Sequence, residues 1–466
     1  MGNTNYSVNT TSLRYALPFK YDNNFNAACK LVDKHDFIRE LFDNEDTDLY
    51  EYIRDEFYFE DNDNISCLKM GYRWSLPEIK IDLLIRDAHR VQLHNVGLFL
   101  FRNNIGIIYY DLGIENNITS SELVFIQRYA KELCTLETYK KDGEPYILGK
   151  YFNNLLSFLN IQWFVEKKTK DDLTLVPYFP ILFTYACFED KDDNENDKYA
   201  LSYHLTNGYD ETYHYNKDNN FQTVKPFDNV IWNASSNGVS NISFTTDDNR
   251  EFFSGRMVTR FNGDYFTLFI KTIFQSYSLL HYSEKIQKIM SCDIEDTPSK
   301  DVSDLYAEIN LFLSKCTATS VSYTDHQSSF YCYLKKEFRI QEDIDCILSG
   351  LSILDSIKKE QDLNREKESD NRANAIMSIF ALLGVFSALV DAFDFIAKFS
   401  KGGEWSGLGY YVGISERIGI SIIALLTLPA VYIAFKSLNV FSKNEKLVRW
   451  YVIIAVIIII FINFIL

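Results

Sequence analysis

The segment VGLFLFRNNIGIIYY (96–110) places two aromatic and β-branched runs on either side of Arg102-Asn103-Asn104, a pattern that predicts a β-hairpin. Similar short apolar runs at 178–188, 199–205 and 242–246 predict further strands, separated by acidic or Asn-rich segments such as EDKDDNENDK (189–198). Helical spacing appears at 123–136. It is clearer after Gly263-Asp264, where Phe266, Phe269, Ile270, Ile273, Phe274, Tyr277 and Leu280 recur every three or four residues. Strands mixed with helices, then helices alone, predict an α/β (α+β) head over 1–260 and a helical stalk over 261–372.

The stalk has its own pattern. From Phe338 to Phe399 there is no proline, and Ile340, Ile344, Ile347, Leu351 and Leu354 form a heptad seam of about two repeats, weakened only by Gly350. The polar stretch KKEQDLNREKESDNR (358–372) follows and runs straight into an apolar one, so one helix of about 60 residues, near 90 Å long at 1.5 Å per residue, is expected.

Three long apolar runs, 375–399, 418–435 and 450–466, approach the roughly 20 residues that a hydrocarbon core requires, so 373–466 reads as a three-span transmembrane region. The linker at 436–449 carries Lys436, Lys443, Lys446 and Arg449 against Glu445. The positive-inside rule then places that linker and the N-terminal domain in the cytoplasm of a multi-pass cell-membrane protein. Within the first run, Asn374, Ser378, Ala381, Gly384, Ala388, Asp391 and Asp394 recur every three or four residues along one helix face. In a ring of helices this small and polar face would line a pore, with its aspartates drawing cations.

Composition narrows the partners. The chain has a formal net charge of −17, and since 371–466 is slightly basic, the first 370 residues are more acidic still. That balance argues against direct nucleic-acid binding by the head and is compatible with cations or basic proteins. The eight cysteines are dispersed, with no C-x-x-C pair, and read as reduced small hydrophobes. Catalytic motifs are scarce. Gly143 to Lys150 imitates a phosphate loop but has five residues between its glycines and Tyr151 after the lysine. Asp190, Asp192 and Asn194 imitate a calcium loop without its glycine. His89 and His94 read as structural or surface residues. No enzyme chemistry is expected.

A long helix ending in Asn371-Arg372-Ala373-Asn374-Ala375-Ile376-Met377, then an apolar run, then a short loop with Trp405 and Gly409-Tyr410-Tyr411, resembles the CorA family of divalent-cation channels. The resemblance implies a homo-oligomer, a pentamer in that family, with an ion-conducting pore gated by the acidic head and a divalent cation such as magnesium as ligand. Membrane lipid would be a further partner. The family's Gly-Met-Asn signature is absent; Phe395 to Gly403 reads FIAKFSKGG instead. The architecture also resembles the membrane effectors of type III CRISPR defence, which implies activation by a nucleotide-derived small-molecule signal. A membrane-tethered scaffold without conduction is the third reading.

Overall fold

A computed structural model describes residues 5–401 except 41–46, 55, 57–68, 78, 87–88, 116, 141–142, 171, 192–194, 211, 217–222, 292–298, 317 and 319. The chain divides into two compact units, 1–354 and 355–466.

The first unit opens with the long strand β1 (Val8–Tyr21), then α1 (Phe25–Val32), whose N-cap Asn24 accepts from the Asn26 amide, and the short β2 (Ile38–Arg39) and α2 (Glu51–Arg54). Strands β3 (Gly71–Leu76), β4 (Ile81–Ile85), β5 (His89–Phe101) and β6 (Ile105–Ile114) follow. Thr119 and Glu122 form a capping box that starts α3 (Ser120–Ala130). Next come β7 (Thr138–Lys140), β8 (Pro145–Tyr146), α4 (Leu148–Leu155), β9 (Ile161–Trp163), β10 (Glu166–Lys168), β11 (Leu175–Pro177), β12 (Ile181–Glu189), α5 (Glu195–Asn207), β13 (Val224–Phe227), β14 (Val230–Ser235) and β15 (Gly238–Thr245). The helical part consists of α6 (Met257–Arg260) between two π-helical turns, Phe252–Arg256 and Phe261–Tyr265, then α7 (Phe266–Ser291), α8 (Ser299–Cys316), α9 (Asp325–Glu337) and α10 (Ile340–Lys401).

Among the described residues, thirteen strands join one sheet whose main path runs β13-β14-β15-β12-β1-β6-β5-β4-β7-β8. The expected hairpin is the β5–β6 pair, closing at Phe101↔Ile105. Side chains of successive residues leave a strand on opposite faces, so Ile105, Ile107 and Tyr109 enter one core and Ile108, Tyr110 and Leu112 another. The first core is covered by α7, α8, α9 and the start of α10; the second by α1, α3, α4 and α5. A sheet buried on both faces explains why its central strands read as continuous apolar runs even where pairing is antiparallel. The segment 199–205 is a correction: it lies inside α5, where it buries Leu201, Ser202, His204 and Leu205 against the sheet.

The seam residues Ile340, Ile344, Ile347, Leu351 and Leu354 are all buried in the first core, so the chain's own helices satisfy the heptad pattern. Gly350 lies where a Cβ would sit 3.2 Å from Ile286 Cγ2, which lets α10 approach α7 closely.

The membrane expectation is corrected. Among the described residues no helix is long and apolar enough to cross a membrane, which contradicts the expected three-span, multi-pass transmembrane region as far as those residues reach. The first expected span lies in α10, where Ile376, Met377, Ile379 and Phe380 are exposed. The expected spans 418–435 and 450–466, and the loops containing Trp405 and Lys436, lie outside the described residues.

Half-buried His281 on α7 gives a pH-dependent expectation. Burial, and then the nearby charges of Lys285 and Lys20, push its pKa down to about 3, so the folded chain keeps it neutral while the unfolded chain protonates it near 6.5. A lowered histidine pKa costs stability as pH falls below the unfolded value. Between pH 6.5 and 5 the urea midpoint should therefore fall less in His281→Asn than in the parent; an identical slope refutes the assignment.

Candidate functional site

β1 and β6 pair from Lys20↔Ile105 to Leu13↔Leu112, and there the ladder ends. Beyond that point β1 continues to Val8 along β12, and β6 continues to Ile114 along β5. The two strands meet again where the Val8 amide donates to the Ile118 carbonyl (3.1 Å) and Ser7 bridges Thr119. The sheet is thus split over a short stretch. A cleft of about 520 Å³ opens there, lined by the 8–13 segment of β1, His94, the end of β6 with Glu115 and Asn117, and Val258 and Asn262 of the helical layer.

Its apex is a buried ion pair. Arg14 donates twice to Asp111, at 2.5 Å from Nε and 2.8 Å from Nη2, and these two residues face each other in the β1–β6 register. Asp111 also accepts from Asn95 Nδ2 (2.6 Å), where a bulge in β5 and a left-handed Asn95 (φ 51°) turn that amide inward. The Arg14 guanidinium lies 4.0 Å from the centre of the Phe266 ring. Burial works against its charge, but Asp111 more than offsets this and the Arg14 pKa stays raised.

The second π-helical turn forms one wall. A π-turn interrupts the regular i→i−4 ladder and is common at functional sites. Here the Asn262 carbonyl accepts from Arg14 Nη1 (3.1 Å) while its side chain accepts from Ser12 Oγ (2.7 Å). Two residues on, Asp264 faces elsewhere: it accepts from Thr47 Oγ1 (2.6 Å), the Asp48 amide (3.2 Å) and Gln327 Nε2 (2.9 Å). One turn therefore ties the cleft to the segment before α2 and to α9.

The polar part of the lining is Asn9, Thr10, Thr11, Ser12, His94, Asp111, Glu115, Asn117 and Asn262, beside Val8, Leu13, Leu112, Ile114, Ile118 and Val258; no lysine or arginine is among its described residues, and the Arg14 guanidinium behind Asp111 is already paired. Recognition of a strongly anionic group relies on cations, which the described lining lacks, so such a ligand fits poorly; neutral or cationic polar molecules fit. Among the described residues no group of three or more His, Cys, Asp or Glu is arranged to hold a metal ion.

The other sequence candidates fall into place. All seven expected pore-face residues lie on α10; Asn374, Ala381, Gly384 and Asp391 are exposed and Ser378 is half-buried. The phosphate-loop imitation is a turn at Gly143 (φ 84°), then β8 and α4. A Cβ at Gly149 would collide with the Cys134 carbonyl oxygen, so that glycine serves packing, and Lys150 pairs with Asp172 at 2.8 Å. In the calcium-loop imitation Asp190 pairs with Lys198, while 192–194 lie outside the described residues. His89 packs on Phe125, and His94 lines the cleft. The sequence reading missed Arg14 and Asp111. Their signal was one lone charge of opposite sign inside each of two apolar strands, LRYALPF and IGIIYYDLGI.

In comparisons with known proteins, no family matches the chain, and no curated protein or solved structure matches it.

Proposed function

We propose that the protein is a ligand-responsive regulator, whose α/β unit binds a small polar molecule, neutral or cationic, in the split between β1 and β6. The observation that carries this reading is the cleft itself. Its volume lies in the range of small-molecule sites, its lining carries convergent polar groups beside apolar ones, and its apex is preorganised by a bidentate ion pair. A route for the response exists in the same unit. Asn262 on the wall belongs to the π-turn that leads directly into α7, and α7 meets the start of α10 at the Ile286–Gly350 contact. Small shifts at such a turn move a packed helix as a body. Conduction is not part of this reading, because a pore needs spanning helices and the described residues include none.

The test is thermal unfolding of the full chain against a panel of sugars, amino acids, short peptides and spermidine, with ATP as the anionic control, in the parent and in Thr10→Trp, which fills the cleft. A neutral or cationic compound at a hundredfold excess over its Kd should raise the parent Tm by about 3–4 °C and leave Thr10→Trp unmoved. A panel in which only ATP acts, or in which both proteins respond equally or not at all, overturns the proposal.

A further inference from the structure

Helix α3 is followed by Lys131, whose side chain is buried and donates from Nζ to the Asn207 carbonyl (2.8 Å) at the end of α5. One turn earlier Gln127 donates to the Leu205 carbonyl (2.5 Å), so two neighbouring side chains cap the last carbonyls of α5. Capping explains these bonds. It does not explain what surrounds the amine. The ring centres of Phe179 and Tyr209 lie 5.6 Å and 5.9 Å from Nζ, and the lysine stem passes so close to Gly208 that a Cβ there would sit 2.5 Å from Cδ. Gly208 also takes φ 58°, which favours glycine at that place a second time.

Phe179, between β11 and β12, is strained. It has φ 61° although it is bulky and precedes Pro180, a position that steric contact pushes toward extended backbone. Such outliers persist where their surroundings hold them, and they cluster at ligand clamps. Here the outlier sets a ring that is 48% exposed beside the amine of a residue only 8% exposed. Arg128 and Glu132 flank Lys131 in sequence, and Arg128 is held by Glu132 (2.9 Å) and lies 3.9 Å from Asp210. The segments packed against the lysine add the phenols of Tyr178 and Tyr209. Burial, and then the Arg128 charge, push the Lys131 pKa down to about 8 against the pull of Glu132. At pH 7.5 about a quarter of such an amine is neutral, against roughly one part in a thousand for an ordinary lysine.

We propose that Lys131 is a site of reversible covalent capture, where its amine condenses with a small aromatic aldehyde to an imine walled by Phe179 and Tyr209. The site is separate from the cleft between β1 and β6 and does not depend on it. The nitrogen lone pair adds to the carbonyl carbon, a proton passes from nitrogen to the carbonyl oxygen through solvent, and loss of water leaves the C=N bond. Nothing is oxidised or reduced. Lysines made neutral by burial are suited to imine formation, and aromatic walls stack a flat aldehyde while keeping out the water that would hydrolyse the product. An imine nitrogen carries one N–H at most. Capture therefore competes with the bond to Asn207 and loosens the tie between α3 and α5.

Reductive trapping on the full chain decides it, with benzaldehyde or acetaldehyde at millimolar concentration, cyanoborohydride as reductant, and each labelled lysine timed by peptide mass spectrometry. At pH 7.5 benzaldehyde should label Lys131 at least about fivefold faster than the exposed Lys168 and Lys170, and the ratio should shrink above about pH 9, where exposed amines also become neutral. In Phe179→Ala, with a circular dichroism spectrum matching the parent, Lys131 should lose its preference for benzaldehyde over acetaldehyde. Tyr209→Ala repeats the comparison for the other wall. Labelling of Lys131 no faster than that of Lys168, or none at all, overturns the proposal. So does a fast Lys131 whose choice between the two aldehydes is unchanged in both variants, since the amine is then reactive without a site around it.

Discussion

Asp111→Ala should lower the stability of the first unit by about 3–5 kcal/mol, because it leaves the Arg14 guanidinium buried without its counter-charge. The Arg14 side chain is only 4% exposed, so water cannot replace the lost carboxylate, and the remaining contact from Nη1 to the Asn262 carbonyl does not neutralise the charge. Removing both charges should hurt much less. Arg14→Met combined with Asp111→Leu replaces the pair by apolar groups of similar volume, and such replacements are often neutral. Urea unfolding of the two single variants and the double variant checks this; a double variant as unstable as Asp111→Ala shows that the pair is not the source of the loss.

Leu351→Asp should cost as much or more, about 4–5 kcal/mol, by placing an unpaired carboxylate in the core beneath α7 and removing a packed side chain. Leu351 is 3% exposed, whereas Leu348, three residues earlier on the same helix, is 47% exposed, and Leu348→Asp should stay within about 0.5 kcal/mol of the parent. The comparison separates two meanings of the heptad spacing. If the seam were a contact between copies, Leu351→Asp would separate the copies and leave each one folded. With the seam inside one chain, circular dichroism should instead record early unfolding of the first unit.

These two sites also show what was legible in the chain and what was not. The β5–β6 hairpin could be read because its turn residues and both apolar runs are adjacent in sequence, and α7 because its aromatic residues repeat at helical spacing over many turns. The seam at 340–354 was legible as a pattern but not in its partner, since period 3.5 describes a helix face and not the surface that covers it. The segment 199–205 read as a strand because YALSYHL alternates, yet its flanking residues complete a helix whose small polar face, Ser202 and Thr206, bonds Ser240 of β15. The apolar run in α10 could be read as continuing the polar stretch 358–372 in one helix, because no proline interrupts either. The cleft could not be read at all. It exists because the β1–β6 ladder stops at Leu13↔Leu112 while each strand stays paired along its other edge, and the end of a ladder leaves no trace in the residues of either strand.

β1 also has a consequence for how the protein is made. Its neighbours along the sheet are β6 on one edge and β12 on the other, and β12 emerges from the ribosome roughly 160 residues after β1 is complete, a wait of about 8–32 s at 5–20 residues per second. Through that interval the 8–16 part of β1 has one backbone edge with no strand to pair against, Phe19–Tyr21 being covered earlier by β9, and β12 in turn needs β15, its parallel partner, before its own far edge is covered. Non-local pairing of this order is slow, and an uncovered strand edge is where newly made chains stick to one another. Yield of this protein should accordingly depend on how quickly translation proceeds and on whether holdase chaperones are present, far more than the stability of the finished sheet would suggest.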